Sequence, residues 1–372
     1  MKFTMGGAIV KLFCAIFFLF TLILVFAPSG QAQIRAYVAN SSGTVSVINT
    51  ATNQVVATIP VGIFPSGVAV TPDGTRAYVT NIIYSISVIN TASDDEIAKI
   101  PSGEFPTGIA ITPDGTRAYV VNQAVINGEG TVSVIDTATN NLIAMIPVGL
   151  GPEGVAITPD GAFAYVTNQQ DFFISVIDTA TNTVVTTIPV NGAAGIVITS
   201  DGTRAYVTSP GSGTISVIDI ATNNVIATII LGTNQNPIGI AITPNGTRAY
   251  VTINALNRVA VINTATNTVI ATIPVGVKPI GVAITPDGTR AYVTNNGANT
   301  VSVINIATNT VIATIQVGIG PNAIAIGSRI LSPTMKDECK KEGWQTFTSP
   351  RKFKNQGDCV SFVNHEREKN QN

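Results

Sequence analysis

The hydrophobic and polar positions of this chain repeat as a block. Between residues 34 and 327, runs of five to eight residues rich in Val, Ile, Thr and Tyr are separated by short clusters of Pro, Asp, Asn and Gly. Such runs read as β-strands bounded by turns. Residues 68–108 hold one complete block. GVAVTPDG is a short apolar run ending in a turn, TRAYVTN and SISVIN alternate, and EIAKIPSG is a fourth run. No apolar stretch at helical spacing interrupts the pattern before residue 331. The expected class is all-β.

The register is fixed by one tripeptide. Ala-Tyr-Val recurs at Tyr37, Tyr78, Tyr119, Tyr165, Tyr206, Tyr250 and Tyr292, at spacings of 41, 41, 46, 41, 44 and 42 residues. Seven of the eight tyrosines occupy this register. A period near 42 matches a four-stranded propeller blade. The first hairpin of a unit carries Pro-Asp-Gly, as at Pro72-Asp73-Gly74, where proline presets φ and glycine takes a positive φ. The third turn is Asx-x-Ala-x-Asx, suited to side-chain-to-backbone bonding. The first unit begins at Ile34, already in its second strand, and a lone copy of the first strand follows the last unit at 321–327. One C-terminal strand plus three N-terminal strands thus make the missing blade. The sequence predicts a closed seven-bladed β-propeller of four-stranded blades, without open sheet ends.

AYVTN stands complete at Tyr78, Tyr165 and Tyr292, and GVAITPDGTRAYVTN at 281–295 resembles the YVTN-family propeller repeat. The resemblance spans about residues 34–327. It implies an exported, periplasmic or surface-layer-like binding protein and brings no catalytic residues. Ser209 and Ile253 replace the motif asparagine in two units.

The array is flanked by two unlike ends, giving the boundaries 1–32, 33–330 and 331–372. Lys2 and Lys11, the apolar run 12–26, and the small residues Gly30 and Ala32 read as a signal peptide cleaved after Ala32. As a helix that run spans about 22 Å, short of a bilayer core of about 30 Å, so no membrane span is expected after cleavage. Processing leaves Cys339 and Cys359, an even number in an exported chain, which reads as a disulfide. Its loop closure is worth roughly 3 kcal/mol. Met335 and its neighbours predict one short helix, and Asn355 caps a second holding Cys359, Phe362 and Val363 on one face. The tail, with Cys339-Lys340-Lys341-Glu342-Gly343-Trp344, resembles a short C-terminal motif of exported bacterial proteins.

Composition narrows the function. Charged residues make up 11% of the chain, against about 25% in an average soluble protein. The array carries ten basic and fifteen acidic residues, which disfavours nucleic acid. The chain has one His and three Cys, and the array has no His and no Cys. No metal centre, Cys or Ser–His nucleophile, or cofactor is expected there. Asp136, Asp178 and Asp219 stand where other units have Asn, which fits hydrogen-bonding turns and not acid–base pairs. Arg76, Arg117, Arg204, Arg248 and Arg290 recur beside the first turn and predict local ion pairs with its aspartates.

The turns on one face repeat almost identically. The middle hairpins and unit-to-unit connections vary, and loops on a rigid scaffold are where binding residues gather. Phe64, Glu104, Phe105, Glu153, Asn236, Arg258 and Lys278 are the candidate binding residues of that face. The expected partner is a protein or a cell-envelope glycan, and no catalytic residue is assigned. The rival readings are a lactonase-like hydrolase using Glu104, Glu153 and Arg258 at the channel mouth, and a surface-layer component.

Overall fold

A computed structural model describes residues 33–126 and 129–329, together with Lys354, Cys359 and Ser361. The signal segment, Cys339, the first expected tail helix and, apart from Cys359 and Ser361, the second lie outside the described residues.

The array folds into seven four-stranded antiparallel sheets. Blade 2 is typical, with strands Pro65–Val70, Arg76–Asn81, Ser85–Asn90 and Asp95–Pro101 from the inside outward. Blades 3 to 7 occupy 106–147, 152–189, 196–230, 237–274 and 279–316. In blade 1 the strand Pro321–Arg329 pairs with Gln33–Asn40, which is followed by Thr44–Asn49 and Gln54–Pro60. The inner strands follow one another around a central channel, and Pro321–Arg329 lies between those of blades 7 and 2.

Seven apolar clusters hold the disc together, each filled from two adjacent blades. The second strands, read as alternating in the sequence, are buried almost end to end. A blade inside the ring has a neighbour on both faces, so neither side of its middle strands meets water. The outermost strands are mostly exposed, as in Thr183–Pro189, with exposed and partly buried positions alternating in Gln54–Pro60 and Asp95–Pro101. Each outermost strand also carries a bulge, where Val56, Ile97, Ile143, Val185, Ile226, Ile270 or Ile312 is skipped in the pairing.

The recurring motif is explained at the joints between blades. Each motif tyrosine is buried. In six of seven blades its hydroxyl donates to an asparagine Oδ1 in the third turn of the next blade, as Tyr250 does to Asn309 at 2.8 Å. Those asparagines have positive φ, a conformation Asn tolerates better than most residues. The motif threonine donates across the same joint to the next inner strand, as Thr208 does to the Ile238 carbonyl at 2.7 Å. The motif asparagine is not a surface group: Asn81 is buried and donates to Ser87 within its own blade at 2.9 Å. Removing one hydroxyl tests the latch. Tyr250→Phe should lower stability by about 1 kcal/mol, seen as a lower urea midpoint at unchanged slope.

The arginines correct a sequence expectation. Among the described residues the ion pairs are Arg35–Asp94 and Lys99–Glu96, and none joins an arginine to a Pro-Asp-Gly carboxylate. Arg117, Arg204, Arg248 and Arg290 instead donate to the carbonyls of Thr179, Thr264, Ile306 and Thr50 in the next blade, at 2.5 to 3.1 Å. Arg76 does the same to Thr137. The turn aspartates are already engaged: Asp73 accepts from the Thr71 hydroxyl at 2.5 Å and the Thr75 backbone N–H at 3.0 Å. Asp136 likewise accepts from the backbone and hydroxyl of Thr139, as a turn residue does.

Candidate functional site

The variable face is built around one repeated backbone position. In the six blades whose inner strand opens on a proline, the residue before it takes a positive φ: Phe64 at 52°, Phe105 at 50°, Gly151 at 58°, Asn236 and Lys278 at 53°, and Gly320 at 65°. In all six cases its carbonyl accepts an N–H from the start of a middle hairpin, as in Ile82 to Phe64 at 3.1 Å and Ser41 to Gly320 at 2.9 Å. The turn therefore demands the left-handed region, which Gly151 and Gly320 enter freely. Phenylalanine and lysine do so at a cost of roughly 1–2 kcal/mol.

Phe64, Phe105, Asn236 and Lys278 are thus four equivalent residues of the variable face, each directly before the proline of an inner strand. Phe64 is 53% exposed and Phe105 44%. Phe105 also contacts Tyr84 of the blade 2 middle hairpin, with ring centroids 6.1 Å apart. Tyr84 and Phe172, both exposed, are further bulky residues at positive φ on middle hairpins. Tyr84 was not among the sequence candidates. Its signal was plain: it is the tyrosine outside the Ala-Tyr-Val register. Glu104 lies in the connection before Phe105 and is half-buried, while Arg258 is exposed at the start of the blade 6 third strand.

The channel itself has a volume of about 480 Å³. Its mouth is ringed by the residue after each inner-strand proline or its equivalent: Asn322, Ser66, Thr107 and Glu153 from blades 1 to 4, then Ala194, Ile238 and Ile280 from blades 5 to 7. One arc is polar and the other apolar. Asn322 is fully engaged, donating to Ser41 Oγ at 2.9 Å and the Pro65 carbonyl at 3.0 Å. Glu153 is the carboxylate of the lining. Burial holds its carboxyl above the usual carboxylate range. Of the seven sequence candidates, Glu153 lines the channel; Glu104 and Arg258 do not join it there. Among the described residues no group of three or more His, Cys, Asp or Glu is placed to hold a metal ion.

Fold and channel define a seven-bladed β-propeller. The sequence matches no protein-family model and no curated protein. Solved structures are similar over most of the chain. Hydrazine synthase of Kuenenia stuttgartiensis superposes with a TM-score of 0.67 at 25% identity, covering 78% of this chain and 99% of that one. A functionally unknown protein of Desulfotomaculum acetoxidans gives 0.69 at 19% identity, covering 79% and 99%. The periplasmic gluconolactonase of Pseudomonas aeruginosa gives 0.67 at 17% identity, again covering 79% and 99%. The last two likenesses are likenesses of fold.

Proposed function

We propose that the protein is an exported, non-catalytic scaffold that binds a protein or cell-envelope glycan through its variable face. The carrying observation is the set of exposed aromatic side chains held at positive φ: Phe64, Tyr84, Phe105 and Phe172. Bulky residues rarely occupy that region, and backbone strain of this kind gathers at functional sites. Aromatic rings held on a rigid frame give large contact area at small entropic cost. The YVTN-like repeats and the apolar N-terminal run support export and kinship with surface-layer-like propellers. The even pair Cys339 and Cys359, with Cys359 buried, supports a disulfide in a small stapled tail. The lactonase-like alternative wants several carboxylates and an arginine converging on the channel; Glu153 stands there without Glu104 or Arg258.

Strain and function can be separated in one variant. Phe64→Gly/Phe105→Gly should be more stable than the natural chain by about 1 kcal/mol per site. It should also bind isolated envelope fractions at least about tenfold more weakly, a loss of about 1.4 kcal/mol. Asp287→Asn, on the opposite face, serves as the control. Protease or periodate treatment of the fraction tells protein from glycan. Equal binding by the glycine variant would remove the variable face as the site.

A further inference from the structure

The seven joints between blades are near copies, and one of them lacks a part. The residue before Ala-Tyr-Val in the second strand is Arg35, Arg76, Arg117, Arg204, Arg248 or Arg290 in six blades and Phe163 in blade 4. Five of those arginines place a guanidinium on a turn carbonyl of the next blade. In four of those five, that carbonyl also accepts the motif tyrosine hydroxyl within 3.4 Å. At the joint between blades 4 and 5 the equivalent carbonyl belongs to Ile220. Among the described residues no side chain donates to it, and the Tyr165 hydroxyl goes to Asn223 Oδ1 alone, at 2.7 Å.

The cleft there is correspondingly large. Its volume is about 480 Å³, against about 260 Å³ at the joints that hold Arg76 and Arg117. It keeps what the Arg76 and Arg117 joints offer a cation: one turn carboxylate from each blade, here Asp160 and Asp201. Hydrogen bonds from the Thr158 and Thr199 hydroxyls hold both carboxyls below their usual range, so both are charged at neutral pH. Phe163, Pro159 and Ile220 supply apolar wall. Tyr165 is pushed up to about 12 by burial and by the Asp160 and Asp219 charges, with no arginine to offset them. Its counterparts Tyr78, Tyr119, Tyr206, Tyr250 and Tyr292 each have one.

We propose that the cleft between blades 4 and 5 binds a guanidinium group, supplied by an arginine side chain of another polypeptide. The joints that hold Arg76 and Arg117 show the chemistry that fits: a planar cation on the turn carbonyl, in a cleft lined by two turn carboxylates. Here an aromatic wall replaces the arginine's own stem and can stack on an incoming guanidinium. A lysine ammonium lacks that planar fork and is the weaker ligand. The site lies on the face with the repeated turns, so it is independent of the variable-face reading.

The test uses the full chain and short capped peptides that differ in one residue, arginine or lysine, titrated calorimetrically. The arginine peptide should bind saturably and at least about tenfold tighter than the lysine peptide. Phe163→Arg rebuilds the missing joint from within. It should abolish binding and raise the melting temperature, since Arg248 already sits against Ile306 in the same way. Asp201→Asn is a second variant that keeps the turn, because Asn245 accepts the Thr243 hydroxyl at the same place in blade 6. It should weaken binding about tenfold. Phe64→Gly/Phe105→Gly should bind the peptide as the natural chain does. No saturable binding, equal affinity for the two peptides, or binding unaffected by Phe163→Arg and Asp201→Asn would overturn the proposal.

Discussion

A chain ending at Gly320 should fail to form the ring. It loses the strand Pro321–Arg329, which pairs with Gln33–Asn40 along nearly its whole length. The strand also serves two apolar clusters at once. Ile324 and Ile326 pack with Tyr292 and Val303 of blade 7, and Ala323 and Ala325 pack with Val68 and Val79 of blade 2. Truncating one buried aliphatic residue to alanine costs about 2–5 kcal/mol, and a whole domain is stable by only about 5–15 kcal/mol. Losing the strand therefore exceeds the margin. The truncated chain should show no cooperative urea transition and rapid proteolysis, while a chain ending at residue 330 keeps both its transition and its resistance. A cooperative transition in the shorter chain would show that blades 2 to 7 stand without the first.

Gly239→Ala should be among the most damaging single-methyl changes in the inner strands. A Cβ there would lie 2.2 Å from the Ile280 carbonyl oxygen and 3.3 Å from Gly281 Cα, both backbone atoms of the next blade. Gly67 and Gly195 meet the same obstacle in their own joints. Six of the seven blades carry this glycine in or beside the inner strand, with Ala323 in its place in blade 1; it lets the strands converge on a narrow channel, and backbone cannot step aside as a side chain can. The expected loss is about 3 kcal/mol, at the upper end for overpacking, measured by urea denaturation. Gly246→Ala is the contrast, since a Cβ there meets nothing within 4 Å. It should cost only the strain of its positive φ, about 1–2 kcal/mol.

The sequence carried the four-strand rhythm, the turns and the seven buried tyrosines, because each rests on chemistry repeated every forty-odd residues. It misled where neighbours in the chain are not neighbours in space. Asp73 and Arg76 are three residues apart, yet the aspartate closes its own turn and the arginine reaches Thr137, in the next blade. The left-handed ring was harder to read. Nothing in Phe64 or Phe105 announces a positive φ; Gly151 and Gly320, at the same place before a proline, are the residues that do. Phe163 was visible as a departure from the repeated arginine. Its meaning needed the other joints, where that arginine crosses to the neighbouring blade.

The bulges on the outermost strands bear on how these discs meet one another. A straight sheet edge recruits other straight edges, and a kinked one does not. Every rim strand here is interrupted near its middle, at a branched apolar residue that is about half exposed. Two discs brought rim to rim find greasy side chains but no continuous row of backbone groups to zip. Crowded molecules stay discrete along the perimeter. Any ordered array built from them should therefore be joined through loops and faces, with a geometry set by a few loop residues and not by the repeat.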